Sequence, residues 1–246
     1  DTFGISSTAD ASTVRLQTFN GGDVITVAST GIGSILSVQS GAGDDLVSVT
    51  DTGDGSLLGL FTQSGADDVS VTTTGSGSGS TIDSGSEVDV VDLAATGASS
   101  ATSITLGDGA DIANIRSTGA ASATDVFGGS GADTFNLSSD ADGDRITPSG
   151  DPAGNLDGFL GDLCVFGETP VPAAGTPESV TAKSITVTVS LARGDELNVS
   201  NEGDVTGHSY TLSDTSLSSS GIAGSLVYET IETLNIESGS GPDAVT

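Results

Sequence analysis

An aspartate stands at every twenty-second position from Asp1 through Asp23, Asp45, Asp67, Asp89 and Asp111 to Asp133. The residues two and four places after each are nearly all apolar: Phe3/Ile5, Ile25/Val27, Val47/Val49, Val69/Val71, Val91/Leu93, Ala113/Ile115 and Phe135/Leu137. This period-two alternation predicts a short strand after each acidic turn. A second pair keeps the same register, as Val14/Leu16, Leu36/Val38 and Leu58/Leu60, then Ser80/Ile82, Thr102/Ile104 and Thr124/Val126. Each 22-residue repeat therefore holds two strands and two turns. A unit this short cannot bury its own apolar face. Neighbours must stack, one repeat closing one coil of an all-β parallel solenoid, a β-helix or β-roll. Sequence columns then become ladders in space, with rungs roughly 4.8 Å apart.

The regular solenoid is expected over residues 1–144. Residues 145–183 carry Pro148, Pro152, Pro170, Pro172 and Pro177, and prolines that dense predict a linker or insertion with at most one strand, at 163–166. Alternation returns in a β-rich segment, 184–246, with strands expected at 185–189, 196–199, 209–212, 225–228 and 233–236. The spacing there is no longer 22 residues, which leaves either a module of another kind or irregular coils with long loops. Residues 238–246 copy the turn of residues 40–48, and Asp243 lies 242 positions after Asp1, eleven repeat lengths. Tandem copies of the whole unit are one expectation from that spacing. The chain has no Met, so residue 1 is not read as a translation start, and a processed protein or a segment of a longer one is expected.

The turns carry the chemistry. Acidic residues number 34 against 5 basic, a net charge of −29, which repels nucleic acid and anionic membranes and attracts cations. No apolar run is long enough for a membrane helix, so membrane insertion is not expected. Aligned on aspartate, the turns read GAGDD (41–45), GSEVD (85–89), GDGAD (107–111), GSGAD (129–133) and GSGPD (239–243), with NGGD at 20–23 and GAD at 65–67. Glycine supplies positive-φ positions and leaves its carbonyl unobstructed. An aspartate two residues later can reach a cation that those carbonyls also face, and calcium is a hard ion that takes such oxygens. Unit charges stacked at the rung spacing repel by about 1 kcal/mol per pair even in water. A cation between them removes that cost. The alternative is that the aspartates only cap turns and solvate the surface.

Residues 128–136 match the nonapeptide GGxGxDxUx, with U apolar, at every fixed position; 40–48 and 238–246 match with Ser for the first Gly. In this the chain resembles the RTX, or hemolysin-type, calcium-binding proteins. The resemblance implies a parallel β-roll, calcium bound between stacked coils, and a secreted protein at the cell surface. It implies Asp45, Asp67, Asp111 and Asp133 as side-chain ligands, with the carbonyls of Gly43, Gly65, Gly109 and Gly131. Asp23, Asp89 and Asp243 extend the set, although the turn before Asp23 is shortened. Glu87 replaces a glycine before Asp89 and offers a further ligand. The chain departs from the family in that only one turn per coil carries the motif, and residues 145–237 lie outside the resemblance.

These features predict a calcium-stabilised structural or adhesive segment of a large cell-surface, surface-layer or matrix-fibre protein. Open solenoid ends favour end-to-end self-association. The alternative is a binding module for ice or glycan on the solenoid face. Thr8, Thr30, Thr52, Thr74, Thr96 and Thr118 form a column that invites the ice reading, but stacked hydroxyls bonding to the turn also explain it. Enzymatic activity is not expected: Arg15, Arg116, Arg145, Lys183 and Arg193 are scattered, His208 is the sole histidine, and no Trp and two Tyr leave little surface for stacking sugars. Cys164, alone, excludes an internal disulfide and reads as a small apolar residue of a strand.

Overall fold

The structure, a computed structural model, describes residues 1–141, 154–167 and 194–246. The predicted pairs become strands coil by coil. The first coil holds β1 (Thr2–Ile5) and β2 (Thr13–Asn20), the second β3 (Val24–Val27) and β4 (Ile35–Ala42), and the third β5 (Leu46–Asp51) and β6 (Leu57–Phe61). The fourth holds β7 (Asp68–Thr73) and β8 (Gly79–Ser86), the fifth β9 (Val90–Leu93) and β10 (Ala101–Gly109), and the sixth β11 (Ile112–Ile115) and β12 (Ala123–Gly131). Every pairing among these is parallel and offset by one repeat, so that Val47 lies between Ile25 and Val69, and Leu58 between Leu36 and Ser80.

The chain is thus an all-β parallel solenoid of 22-residue coils, with no helix among the described residues. Two sheets face each other, and the inward columns fill the space between them. Ile25, Val27, Val38, Val47, Val49, Leu60, Val69, Val91, Leu93, Ile104 and Val126 are all fully buried, each worth about 1.5–3 kcal/mol as a buried aliphatic side chain.

Beyond Leu137 the 22-residue step is lost, yet the stack continues. β13 (Thr134–Leu137), β15 (Glu196–Ser200) and β19 (Thr233–Glu237) extend the first sheet; β14 (Asp162–Phe166) and β18 (Leu226–Glu229) extend the second. Val126 stands over Val165 and Val165 over Tyr228, while Leu137 stands over Val199 and Val199 over Ile236. Among the described residues, 194–246 thus add strands to both sheets of the same stack. One of the loops contains β16 (Ser209–Leu212) and β17 (Ser216–Ser219), an antiparallel hairpin whose β17 pairs antiparallel with β18. The C-terminal motif forms β20 (Ala244–Val245), which pairs with β16. The strand expected at 185–189, the five prolines, Arg145, Lys183 and Arg193 lie outside the described residues.

One inward column changes character. Where Leu36 and Leu58 fill the core, the next three coils place Ser80, Thr102 and Thr124, whose hydroxyl oxygens are buried without a hydrogen-bond partner. A buried hydroxyl left unpaired costs more than an apolar group of the same shape. Thr102→Val and Thr124→Val are therefore expected to raise stability by about 1 kcal/mol each, read as a shift of the urea midpoint at unchanged slope. A loss of stability would mean that these hydroxyls have a partner, such as an internal water.

The buried aspartate ladder as candidate functional site

At the corners of a coil the backbone turns away from the strand ladder, and its N–H groups need other acceptors. The repeating aspartates supply them. The amide of Asp23 donates to Asp45 Oδ1, Asp45 to Asp67, Asp67 to Asp89 and Asp89 to Asp111, all at 2.8 Å, and Asp111 donates to Asp133 at 2.9 Å. Each carboxylate thus accepts from the amide of its counterpart one coil earlier. These side chains are buried, none more than 3 % exposed. The expected acidic edge is an internal ladder.

The opposite corner uses threonine in the reverse direction. Thr30, Thr52, Thr74 and Thr96 accept from the glycine amides of Gly53, Gly75, Gly97 and Gly119 in the following coil, at 2.8–3.0 Å. These threonines are buried, so the column faces the corner and not solvent.

The second carboxylate oxygen has a different environment. Oδ2 of Asp45, Asp67, Asp89 and Asp111 is buried with no hydrogen-bond partner. It belongs to a polar stripe with the residue five places earlier, since a Cβ on Gly128 would stand 2.4 Å from Asp133 Oδ2. In earlier coils that position holds Ser40, Thr62, Ser84 and Leu106. The hydroxyls of Thr62 and Ser84 donate to the carbonyls of Ser84 and Leu106, and Ser40 Oγ is itself buried and unpartnered. Burial pushes Asp67 and Asp111 up to about 6 and Asp89 up to about 7, against the opposing pull of the backbone amide each accepts and, at Asp67 and Asp89, of the neighbouring Thr62 and Ser84 hydroxyls. Like charge adds to the rise: Asp45 and Asp44 at Asp67, Asp111 and Asp67 at Asp89, and Asp108 at Asp111.

The turn glycines have a steric reason of their own. Gly43, Gly65 and Gly131 have φ of 121°, 129° and 137°. A Cβ on Gly65 would meet Gly43 O at 2.3 Å, one on Gly131 would meet Gly109 O at 1.4 Å, and one on Gly109 would meet Glu87 O at 1.9 Å. Each carbonyl packs where the next coil's side chain would begin. Glu87 takes up φ of 79° in this column and accepts from the Gly65 amide at 2.8 Å. Asp243 is not brought to the ladder; it accepts from the His208 amide at 2.8 Å, repeating the same cap on the β16–β20 pair. Among the described residues no three Asp, Glu, His or Cys side chains converge on one point as a metal cluster would.

The ladder runs further than the 22-residue spacing reveals. Asp133 donates its amide to Asp195 and Asp195 donates to Glu232, both at 2.8 Å. A second ladder runs alongside: Asn114 donates to Asp92, Asn136 to Asn114, Asn198 to Asn136 and Asn235 to Asn198, over 2.6–2.9 Å. A local pattern marks both, an acid, any residue, an apolar residue, Asn and an apolar residue: DIANI, DTFNL, DELNV and ETLNI at 111, 133, 195 and 232. Read as a motif without a fixed period, it would have located the irregular coils.

Compared with protein-family models, curated proteins and solved structures, the chain finds no significant match in any of the three.

Proposed function

We propose that the chain is a structural or adhesive segment of a large extracellular protein of a cell surface, surface layer or matrix fibre, stabilised by calcium at its aspartate corner. The observation that carries this reading is the row of buried, unpartnered Oδ2 atoms on Asp45, Asp67, Asp89 and Asp111. Ionised carboxylates stacked one per coil away from water are costly unless paired. The donors in the stripe are carboxylate and hydroxyl oxygens only, which suits a hard cation. With one free carboxylate oxygen per coil, backbone carbonyls and water would complete the coordination. The likeness of 128–136 to the RTX nonapeptide supports the same ion and a secreted setting. The stacked coils would then space or join other modules, and end-to-end association of copies belongs to the same proposal.

Calcium titration with calorimetry, and melting with and without chelator, tests this. Saturating calcium is expected to raise the melting temperature by about 10 °C or more, as follows for a ligand held well above its dissociation constant. A melting temperature indifferent to calcium and chelator sinks the calcium part and leaves a plain structural solenoid.

A second reading, a glycan-binding or ice-binding module, rests on the outer face of the second sheet. Gly79, Ala101 and Ala123 there floor a shallow groove of about 400 Å³ between Leu57 and Asp125.

A further inference from the structure

The loop before β16 and the turn after β17 bring three side chains into one chain of hydrogen bonds. His208 Nε2 lies 2.5 Å from Asp204 Oδ2, and His208 Nδ1 lies 3.0 Å from Ser220 Oγ. We propose that Ser220 is an activated nucleophile that accepts an acyl group from an activated ester.

Each member is held for the role. Asp204 Oδ1 accepts from the amide of Thr206 at 2.7 Å and from its hydroxyl, contacts that keep the carboxylate ionised and aimed at the imidazole. An ionised Asp204 draws the histidine proton to Nε2 and leaves the Nδ1 lone pair for the serine hydrogen. The ring is fixed in place: the His208 amide donates to Asp243 at 2.8 Å, and the Tyr210 ring stands edge-on with centroids 6.3 Å apart. On the remaining side Gly221 leaves room, since a Cβ there would sit 3.1 Å from the imidazole. His208 and Asp204 are each 11 % exposed, whereas Ser220 is open to solvent. The Ser209 amide donates to Ser220 Oγ at 3.2 Å and favours the developing alkoxide.

The step balances without any co-reactant. Ser220 Oγ bonds to the acyl carbon as its hydrogen passes to Nδ1. The bond to the leaving group breaks, and the departing oxygen takes that proton from Nδ1. The products are acyl-Ser220 and the free alcohol or phenol. Stabilisation of the tetrahedral oxyanion is where the site is weak. The Ser220 amide is committed to Ser209 O at 3.2 Å and the Gly221 amide to Ser219 Oγ at 3.1 Å. A missing oxyanion donor costs about 10²–10³ in rate. Single acylation by a reactive ester, rather than sustained turnover, follows from that deficit.

The test is incubation of the full chain with p-nitrophenyl acetate, followed by peptide mass mapping. Acetylation is expected at Ser220 in preference to the exposed Ser218 of the same hairpin by about tenfold or more, and Asp204→Asn is expected to reduce it by a similar factor. Acetyl groups spread evenly over both serines of the wild-type chain overturn the proposal, and that comparison needs no variant. Labelling at Ser220 undiminished by Asp204→Asn, in a variant with unchanged circular dichroism, overturns it too.

Discussion

Raising the pH of the calcium-free chain from about 5 to about 8 is expected to lower its stability by several kcal/mol, the reverse of ordinary acid denaturation. Asp67, Asp89 and Asp111 have folded values of about 6, about 7 and about 6 against an ordinary 3.8. Below about 4 both folded and unfolded chains hold these protons, and the linkage contributes its full stability. Above that the unfolded chain releases its protons while the folded chain retains them. Folding then requires proton uptake, so stability falls as pH rises and levels off above about 7.

Urea midpoints at the two pH values, measured in chelator, read this directly. The Asp67/Asp89/Asp111→Asn triple variant keeps every Oδ1 acceptor for the preceding coil's amide and removes the titration. It is expected to flatten the profile and to exceed the parent chain at the higher pH. Saturating calcium should flatten the parent's profile in the same way, because an ion-bound carboxylate no longer needs its proton. Stability that rises with pH in the parent chain, or a slope that survives in the triple variant, would show that the ladder carboxylates are ionised and satisfied by other means.

The second large effect belongs to glycine. Gly107 has φ of 108°, and a Cβ there would stand 1.9 Å from Gly85 O in the coil before. Gly107→Ala is expected to cost about 3 kcal/mol or more, combining the left-handed strain of an alanine with displacement of a stacked carbonyl. The same column shows what an accommodated side chain does. Gln63 stands where Gly41 and Gly85 stand in neighbouring coils, at φ of 75°. There β6 stops at Phe61, and pairing resumes only as an isolated bridge at Ser64, whereas β4 and β8 run on to Ala42 and Ser86. Gln63→Gly is therefore expected to gain about 1 kcal/mol. Thermal melts of both variants provide the check. A Gly107→Ala chain that melts with the parent would mean that stacking does not require glycine in this turn.

Much of the architecture was legible because a parallel solenoid turns sequence register into spatial register. With pairing offset by one repeat, Val47 must stand between Ile25 and Val69 once the period is known, and two-residue alternation assigns inside and outside. The same ruler located Asp23 to Asp133 and the threonine column. Beyond Leu137 the ruler fails, because a loop can lengthen without disturbing the strands that stack. β15 and β19 were legible as strands, but their place over β13 was not.

The direction in which the aspartates point was decided only by tertiary structure. A carboxylate beside a glycine turn suits a solvent-facing cation site or an inward cap equally well in one dimension. The unpaired corner amide of the coil before settles it, since that donor exists only after two coils have stacked. The meeting of Asp204, His208 and Ser220 was likewise invisible in a chain full of serines and acids. It depends on the antiparallel return of β17 along β16, which sets Ser220 beside His208. The period, the strand pattern and the demand for stacking were properties of the sequence by itself. What the repeated aspartate does was decided by the neighbour that stacking places against it.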